Sequence, residues 1–307
     1  MANVAGCTCG DVHGNTGTPN CSQLIKKALG LGVLSIVANG GAVNKIDLTD
    51  LANYSLSEAL RDLDRSVRIY PIMELRNVTH PDEAEQYATD SAGGKIEVRD
   101  IVYRFACEKW EVSPAYVQKL KNGKCNRNGV FLFNADGMVG LRRGTELFPI
   151  EIKAYAPKYS HATDADPSKL MLSFDYAQNT NIGELWLISW EELGMTINDV
   201  AGLIDLNYTV VDAPADGGTN TTVSYSLTTD YGYGNPETQN VDGLNATDFE
   251  AVNVTTGLSI SLVSVVETPD VKYVFTLPSQ TTADVVKISV SPTLGGFEGS
   301  VTFVQPA

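Results

Sequence analysis

The sequence predicts a mainly β chain in two parts, with no more than one or two short helices. Three observations point there. Short apolar or alternating runs recur along the chain and are separated by Gly, Asp, Asn and Pro, the residues of turns. Only one segment carries a full set of helix signals, Ser113–Asn122, with Ser as N-cap, Pro in the first turn and Gly123 as a stop. The composition changes after Gly194, and from Leu203 the chain is dense in Thr, Val, Ser, Asn and Gly. A length of 307 residues favours two domains, which the shift divides into 1–200 and 201–307.

Residues 1–22 are rich in Gly, Thr, Asn and Cys without periodicity, and read as an extended N-terminal arm. Ser22–Leu29 reads as a helical turn or the lead into a strand. Leu31–Ala38 is an apolar, partly β-branched run and so a strand, with Val43–Leu48 as its expected partner across Asn39-Gly40-Gly41. Leu56, Leu60 and Leu63 have helical spacing behind a possible cap at Thr49 or Asp50. Val67–Val78 is a strand whose Pro71 places it at an edge or a break. A polar connection runs from His80 to Gly94. Lys95–Cys107 alternates, with a phase slip that suggests a bulge near Asp100.

The stretch from Val130 to Ser189 organises the first part. Its runs are Val130–Asn134, Met138–Leu141, Phe148–Tyr155, Leu170–Tyr176 and Leu185–Ser189. Ala135-Asp136-Gly137 supplies a tight turn whose glycine tolerates positive φ. The 155–170 connection holds Pro157 and Pro167 and is too long for a tight turn, so it reads as a long hairpin whose Tyr155 and Tyr159 dock on something apolar.

In the second part the strands are Leu203–Val211, Thr221–Thr228, Phe249–Asn253, Ser259–Glu267, Val271–Leu277, Val285–Pro292 and Gly299–Val304. Their number and spacing suit an immunoglobulin-like sandwich over 201–307, without the inter-sheet disulfide of antibody domains.

The net charge is −15, and residues 201–307 hold two lysines against twelve acids, a net −10. A surface this acidic repels nucleic-acid backbones. No apolar run is long enough to span a bilayer, and no membrane anchor or N-terminal secretory leader is expected. The five cysteines, Cys7, Cys9, Cys21, Cys107 and Cys125, are an odd number, which argues against a fully paired framework.

No nucleophile motif or phosphate-binding loop occurs, so no catalytic, cofactor-binding or metal residue is assigned, no cofactor is expected, and an enzyme is not expected. Cys7, Cys9, His13 and Cys21 could form a tetrahedral metal set, although Cys-x-Cys is tighter than a usual zinc knuckle; the alternative is a metal-free arm. His161 with Asp164 and Asp166 could hold a cation or could be solvated loop polarity. Tyr231 and Tyr233 could stack on sugars or pack on the sandwich edge. Arg142 and Arg143 could bridge to acids of a neighbouring subunit or form a solvated strand end. The sequons at Asn207 and Asn253 mean little without a secretory leader.

The arm "GCTCGDVHGNTGTPNC" followed by a strand and "GAVNKIDLTD" resembles the start of structural proteins of tailed phages that infect Bacteroidetes. "RGTELFPIEIKAYAPKYSHATDADPSKLMLSFDYAQNTNIGELWLI" resembles their later segment. "GLNATDFEAVNVTTGLSISLVSVVE" resembles the immunoglobulin-like modules of phage virion proteins. Within that class the tail-tube protein fits best. The resemblance implies a tail-tube-like β-sandwich or barrel with a packed helix, an arm and a long hairpin, assembled into stacked hexameric rings in the virion tail after synthesis in the host cytoplasm. The implied partners are copies of itself, other virion tail proteins, and DNA that passes without specific binding. Competing expectations are a head-decoration or neck protein, and an adhesin that binds host surface glycans through 201–307.

Overall fold

A computed structural model describes residues 25–89, 95–99, 101–123, 127–178, 180–229, 240–268, 272–290 and 296–306; for 95–99 the backbone alone is considered. The fold is mainly β. The described residues cluster into two units. Unit 1 comprises residues up to 57, 69–110 and 124–200; unit 2 comprises 58–68, 111–123 and 201–307. The second unit thus holds two earlier segments of the chain besides 201–307. The arm 1–22 lies outside the described residues.

Unit 1 begins with β1 (Gly30–Ser35). It does not pair with the run after Asn39-Gly40-Gly41, where one isolated bridge, Val37 to Val43, is found. The partner run contributes β2 (Ile46–Asp47) elsewhere in the sheet. Helix α1 (Leu56–Arg61) follows. It buries Leu56 and Leu60 but ends before Leu63, which is 73% exposed. The Val67–Val78 run splits into β3 (Tyr70–Met73) and β4 (Arg76–Thr79) at Glu74, a non-glycine residue with φ of 63°. Pro71 lies in β3, which pairs with β1, so its missing N–H costs no ladder bond on the far side.

The Lys95–Cys107 run is likewise two strands in two sheets. β5 (Gln86–Thr89) and β6 (Lys95–Arg99) form a separate two-stranded sheet. The large sheet resumes at β7 (Arg104–Trp110). The slip in alternation marks this handover; Asp100 itself lies outside the described residues. Helix α2 (Pro114–Asn122) forms as spaced, with Ser113 Oγ accepting from Tyr116 N at 3.2 Å.

The organising stretch supplies β8 (Asn128–Phe133), β9 (Gly137–Arg143), β10 (Glu146–Phe148), β11 (Ile150–Ser160), β12 (Lys169–Tyr176) and β13 (Leu185–Ser189). They join in one branched, eleven-stranded sheet. β8 pairs with β1, β9 and β11, and β9 also with β10 and β13. Every residue of β8 is buried, as befits a strand covered on both faces. Phe131 and Phe133 of β8, Phe105 of β7, Met138 of β9 and Phe174 of β12 are among the most buried side chains of the sheet.

The turn before β9 works differently from its sequence signature. Gly137 has no positive φ. Asn134 shapes the turn instead, its Oδ1 accepting from Asp136 N and Gly137 N at 2.8 Å each. The glycine is required because a Cβ there would lie 1.8 Å from Ile188 O of β13. The 155–170 connection is mostly strand. β11 and β12 stay paired out to Ser160 opposite Lys169, which leaves 161–168 as the loop. A bulge between Lys153 and Ala156, with Ala154 at φ 52°, re-aims β11.

Unit 2 is built from β14 (Ile204–Asp216), β15 (Asn220–Thr229), β16 (Phe249–Asn253), β17 (Leu258–Ile260), β18 (Ser264–Glu267), β19 (Lys272–Pro278), β20 (Val285–Val290), β21 (Phe297–Glu298) and β22 (Ser300–Val304). They form a five-stranded sheet, β18-β19-β15-β14-β21, and a four-stranded sheet, β17-β16-β20-β22. The two share one core of Tyr225, Phe275, Tyr273, Phe249, Val286 and Ile288 with their neighbours. The Ser259–Glu267 run divides between the sheets as β17 and β18, so two pairings hide in one apolar run.

Candidate assembly surfaces

The β5–β6 ribbon stands apart from the large sheet of unit 1 as a two-stranded sheet of its own. Its base is a hydrogen-bonded pair, Glu83 and Val102, each N–H donating to the other's carbonyl at 3.0 Å. Beyond that clasp, residues 84–89 are all exposed, Tyr87 at 52%. Among the described residues β5 and β6 have no strand partner other than each other. The sequence reading took 80–94 as a polar connection. Of the ribbon's two strands, β6 falls within the alternating run that begins at Lys95, whereas β5 falls in the connection, where Gln86–Thr89 has no apolar face to identify it.

Two longer strand edges are also open among the described residues, and both carry devices that discourage pairing. β11 meets β8 only through Ile150 and Glu151. From Ile152 to Ser160 its strand partner is β12 alone, and this stretch carries the bulge, Pro157, and exposed Lys153 and Lys158. In unit 2, β14 meets β21 only through Ile204 and Asp205. Its later part has two register shifts, Pro214 and exposed Asp212, beside exposed Val210 and Val211.

The residues singled out for chemistry are placed as follows. Cys7, Cys9, His13, Cys21, Cys125, Tyr231 and Tyr233 lie outside the described residues. His161 stands edge-on to Tyr159 at 5.0 Å, while Asp166 turns to Lys169 at 3.5 Å. The loop's turn is set by Thr163 Oγ1, which accepts from Asp166 N at 3.1 Å. Among the described residues no three His, Cys, Asp or Glu side chains are grouped to hold a metal. Tyr155 is buried in its own unit. Arg142 and Arg143 are engaged within the chain. Arg142 lies over the Trp186 ring at 4.2 Å, and Arg143 pairs with Glu184 at 2.9 Å. The Asn253 sequon is sterically closed, because that side chain is buried and donates to Asp284 at 2.8 Å.

The polar groups that unit 1 gathers are structural. Glu108 accepts from Asn77 at 2.8 Å and Trp110 at 3.3 Å and pairs with Lys169 at 3.1 Å. Burial works to raise its carboxyl, but these donors outweigh burial and hold it below the ordinary range. Burial pushes the Cys107 thiol up to about 12, which keeps it an unreactive thiol. A pocket of about 180 Å³ lined by Tyr103, Tyr176, Gln178, Asn181 and neighbours is smaller than usual ligand sites, and no His, Cys or carboxylate lines it. Among the described residues no helix is long and apolar enough to cross a membrane. No known family, no curated protein and no solved structure matches the chain.

Proposed function

We propose that the chain is a non-enzymatic structural subunit that assembles with copies of itself, and that its place is the tail tube of a phage virion, in stacked rings through which DNA passes. The β5–β6 ribbon carries this reading. A two-stranded ribbon with one fully exposed strand has little stability of its own. Burial against a neighbour would supply what it lacks, and in a homo-oligomer that neighbour is another copy. The defended edges of β11 and β14 fit the same picture, since a subunit that must meet copies of itself at high concentration needs to suppress unwanted strand pairing. The charge of −15 suits a surface that DNA passes without adhering.

Electron microscopy of the purified full-length protein tests the reading. Hollow tubes of stacked rings are expected. Discrete monomers or trimers at all concentrations would contradict it and would favour a decoration protein or an adhesin.

A further inference from the structure

The sandwich of unit 2 holds a connected set of buried polar groups. Thr221 Oγ1 donates to Gln305 Oε1 at 2.8 Å. The two residues are 0% and 2% exposed. Thr221 lies on β15 of the five-stranded sheet, and Gln305 directly follows β22 of the four-stranded sheet, so this bond crosses from one sheet to the other. Gln305 Nε2 is buried with no hydrogen-bond partner. A bare amide nitrogen in a core carries an uncompensated desolvation cost and calls for an explanation.

Gln305 N donates to Asp284 O at 2.8 Å, which brings Asp284 beside it. Asp284 is the only buried acid among the described residues. Its Oδ2 accepts from two neutral donors, Asn253 Nδ2 at 2.8 Å and Thr281 N at 3.2 Å. No cation pairs with it among the described residues, although buried carboxylates are ordinarily paired. A hydroxyl, a carboxamide and a carboxylate, all withdrawn from water, thus meet in one part of the core.

The hydroxyl oxygen is close to the carbon it would attack. Oγ1 is 2.8 Å from Oε1, and Cδ is bonded to Oε1 at about 1.2 Å, so Oγ1 and Cδ are at most about 4 Å apart. A side-chain rotation brings them to the about 3–3.5 Å of a near-attack contact. We infer that Thr221 and Gln305 join as an intramolecular ester that ties the two sheets together. In this step the Oγ1–Cδ bond forms and the Cδ–Nε2 bond breaks. Asp284 takes the hydroxyl proton and returns it to Nε2, which leaves as ammonia, and the carboxylate is regenerated. The atom that leaves is the one for which the core provides no partner. The reaction occurs once per molecule, so it needs no fast turnover. Ammonia lost to solvent does not return, and burial keeps water from the ester. The bond would supply the inter-sheet cross-link that residues 201–307, which contain no cysteine, cannot make as a disulfide. This inference does not depend on the assembly reading.

Mass spectrometry of the full-length protein, denatured and digested with trypsin, tests it. Thr221 falls in the peptide 170–272 and Gln305 in 288–307, neither of which has an internal Lys or Arg before its end. The wild type is expected to give these two joined, lighter than their sum by one ammonia. Hydroxylamine, which cleaves esters, is expected to separate them. Thr221→Ser keeps the hydroxyl and is expected to stay joined, whereas Thr221→Val is expected to give two peptides at their sequence masses. Asp284→Asn is expected to lower the joined fraction at least tenfold, and Asp284→Glu, which keeps a carboxylate, to retain joining. Separate wild-type peptides at their sequence masses overturn the ester, as does a joined species that survives hydroxylamine. Asp284→Asn joined as fully as wild type overturns the role given to Asp284.

Discussion

Phe105 and Phe174 stand directly opposite each other on β7 and β12, and their rings stack with centroids 5.0 Å apart and planes within 9°. Both are buried. A cross-strand pair adds about 0.5–1.5 kcal/mol to the burial of two rings. Phe174→Ala is expected to lower stability by about 3–5 kcal/mol in urea titration, cavity included. A double-mutant cycle with Phe105→Leu and Phe174→Leu is expected to give a coupling of the stacking magnitude; no coupling would mean that the rings are merely adjacent.

Gly137 and Gly144 separate two reasons for glycine. At Gly137 a Cβ would meet backbone, Ile188 O, at 1.8 Å, so the β9–β13 pairing must open. At Gly144, φ is +63° with open space around it. Gly137→Ala is therefore expected to cost about 3 kcal/mol, the upper end for overpacking. Gly144→Ala is expected to cost about 1 kcal/mol of backbone strain. Comparable losses in thermal or urea unfolding would show that the Gly137 contact relaxes more easily than its geometry indicates.

These glycines also show what the sequence could tell. The Ala135-Asp136-Gly137 turn was legible, because Asp-Gly between apolar runs is a local signal. Its mechanism was not, because Ile188 is distant in sequence and arrives only when β13 pairs with β9. Helix α2 was legible from its own cap residues; its clustering with unit 2 was not. Continuous apolar runs such as Val67–Val78 and Ser259–Glu267 hid two strands each, since a break at Glu74 or between β17 and β18 leaves the hydrophobic pattern intact. Strand β5 of the ribbon was missed for the opposite reason, having no apolar face to read. The Arg68–Glu298 pair joins residues 230 apart, and nothing local announces it.

Glu108 makes the stability of unit 1 depend on pH in the acid range. Its folded value is lowered, so its contribution is present above the ordinary glutamate value and fades as pH falls through the lower folded one. Glu108→Gln is expected to cost about 1–2 kcal/mol at pH 7. It is also expected to flatten the loss of stability as pH falls from the ordinary glutamate value of 4.5 through the lower folded one. An unchanged acid limb in urea titrations would assign that limb to other carboxylates.

Residues 201–307 contain every residue of the shared core of unit 2. The fragment is expected to fold alone as a β protein with a cooperative thermal transition. It lacks Arg68 and Lys119, the partners of Glu298 and Asp205, so its midpoint is expected to fall below that of the same unit in the full chain. A disordered circular dichroism spectrum would show that segments 58–68 and 111–123 are required for folding.

The assembly reading rests on the ribbon, and the ribbon's base offers a place to close the chain without it. Glu83 and Val102 form a reciprocally hydrogen-bonded pair, the geometry that a two-residue Asn-Gly turn closes. Replacing residues 84–101 with Asn-Gly is expected to leave the unfolding transition of the remaining chain within about 1 kcal/mol, because shortening a surface excursion changes closure entropy little. Electron microscopy of this variant beside wild type is the decisive measurement. The account predicts tubes from wild type and only discrete particles from the variant. Full-length tubes from the variant would contradict it.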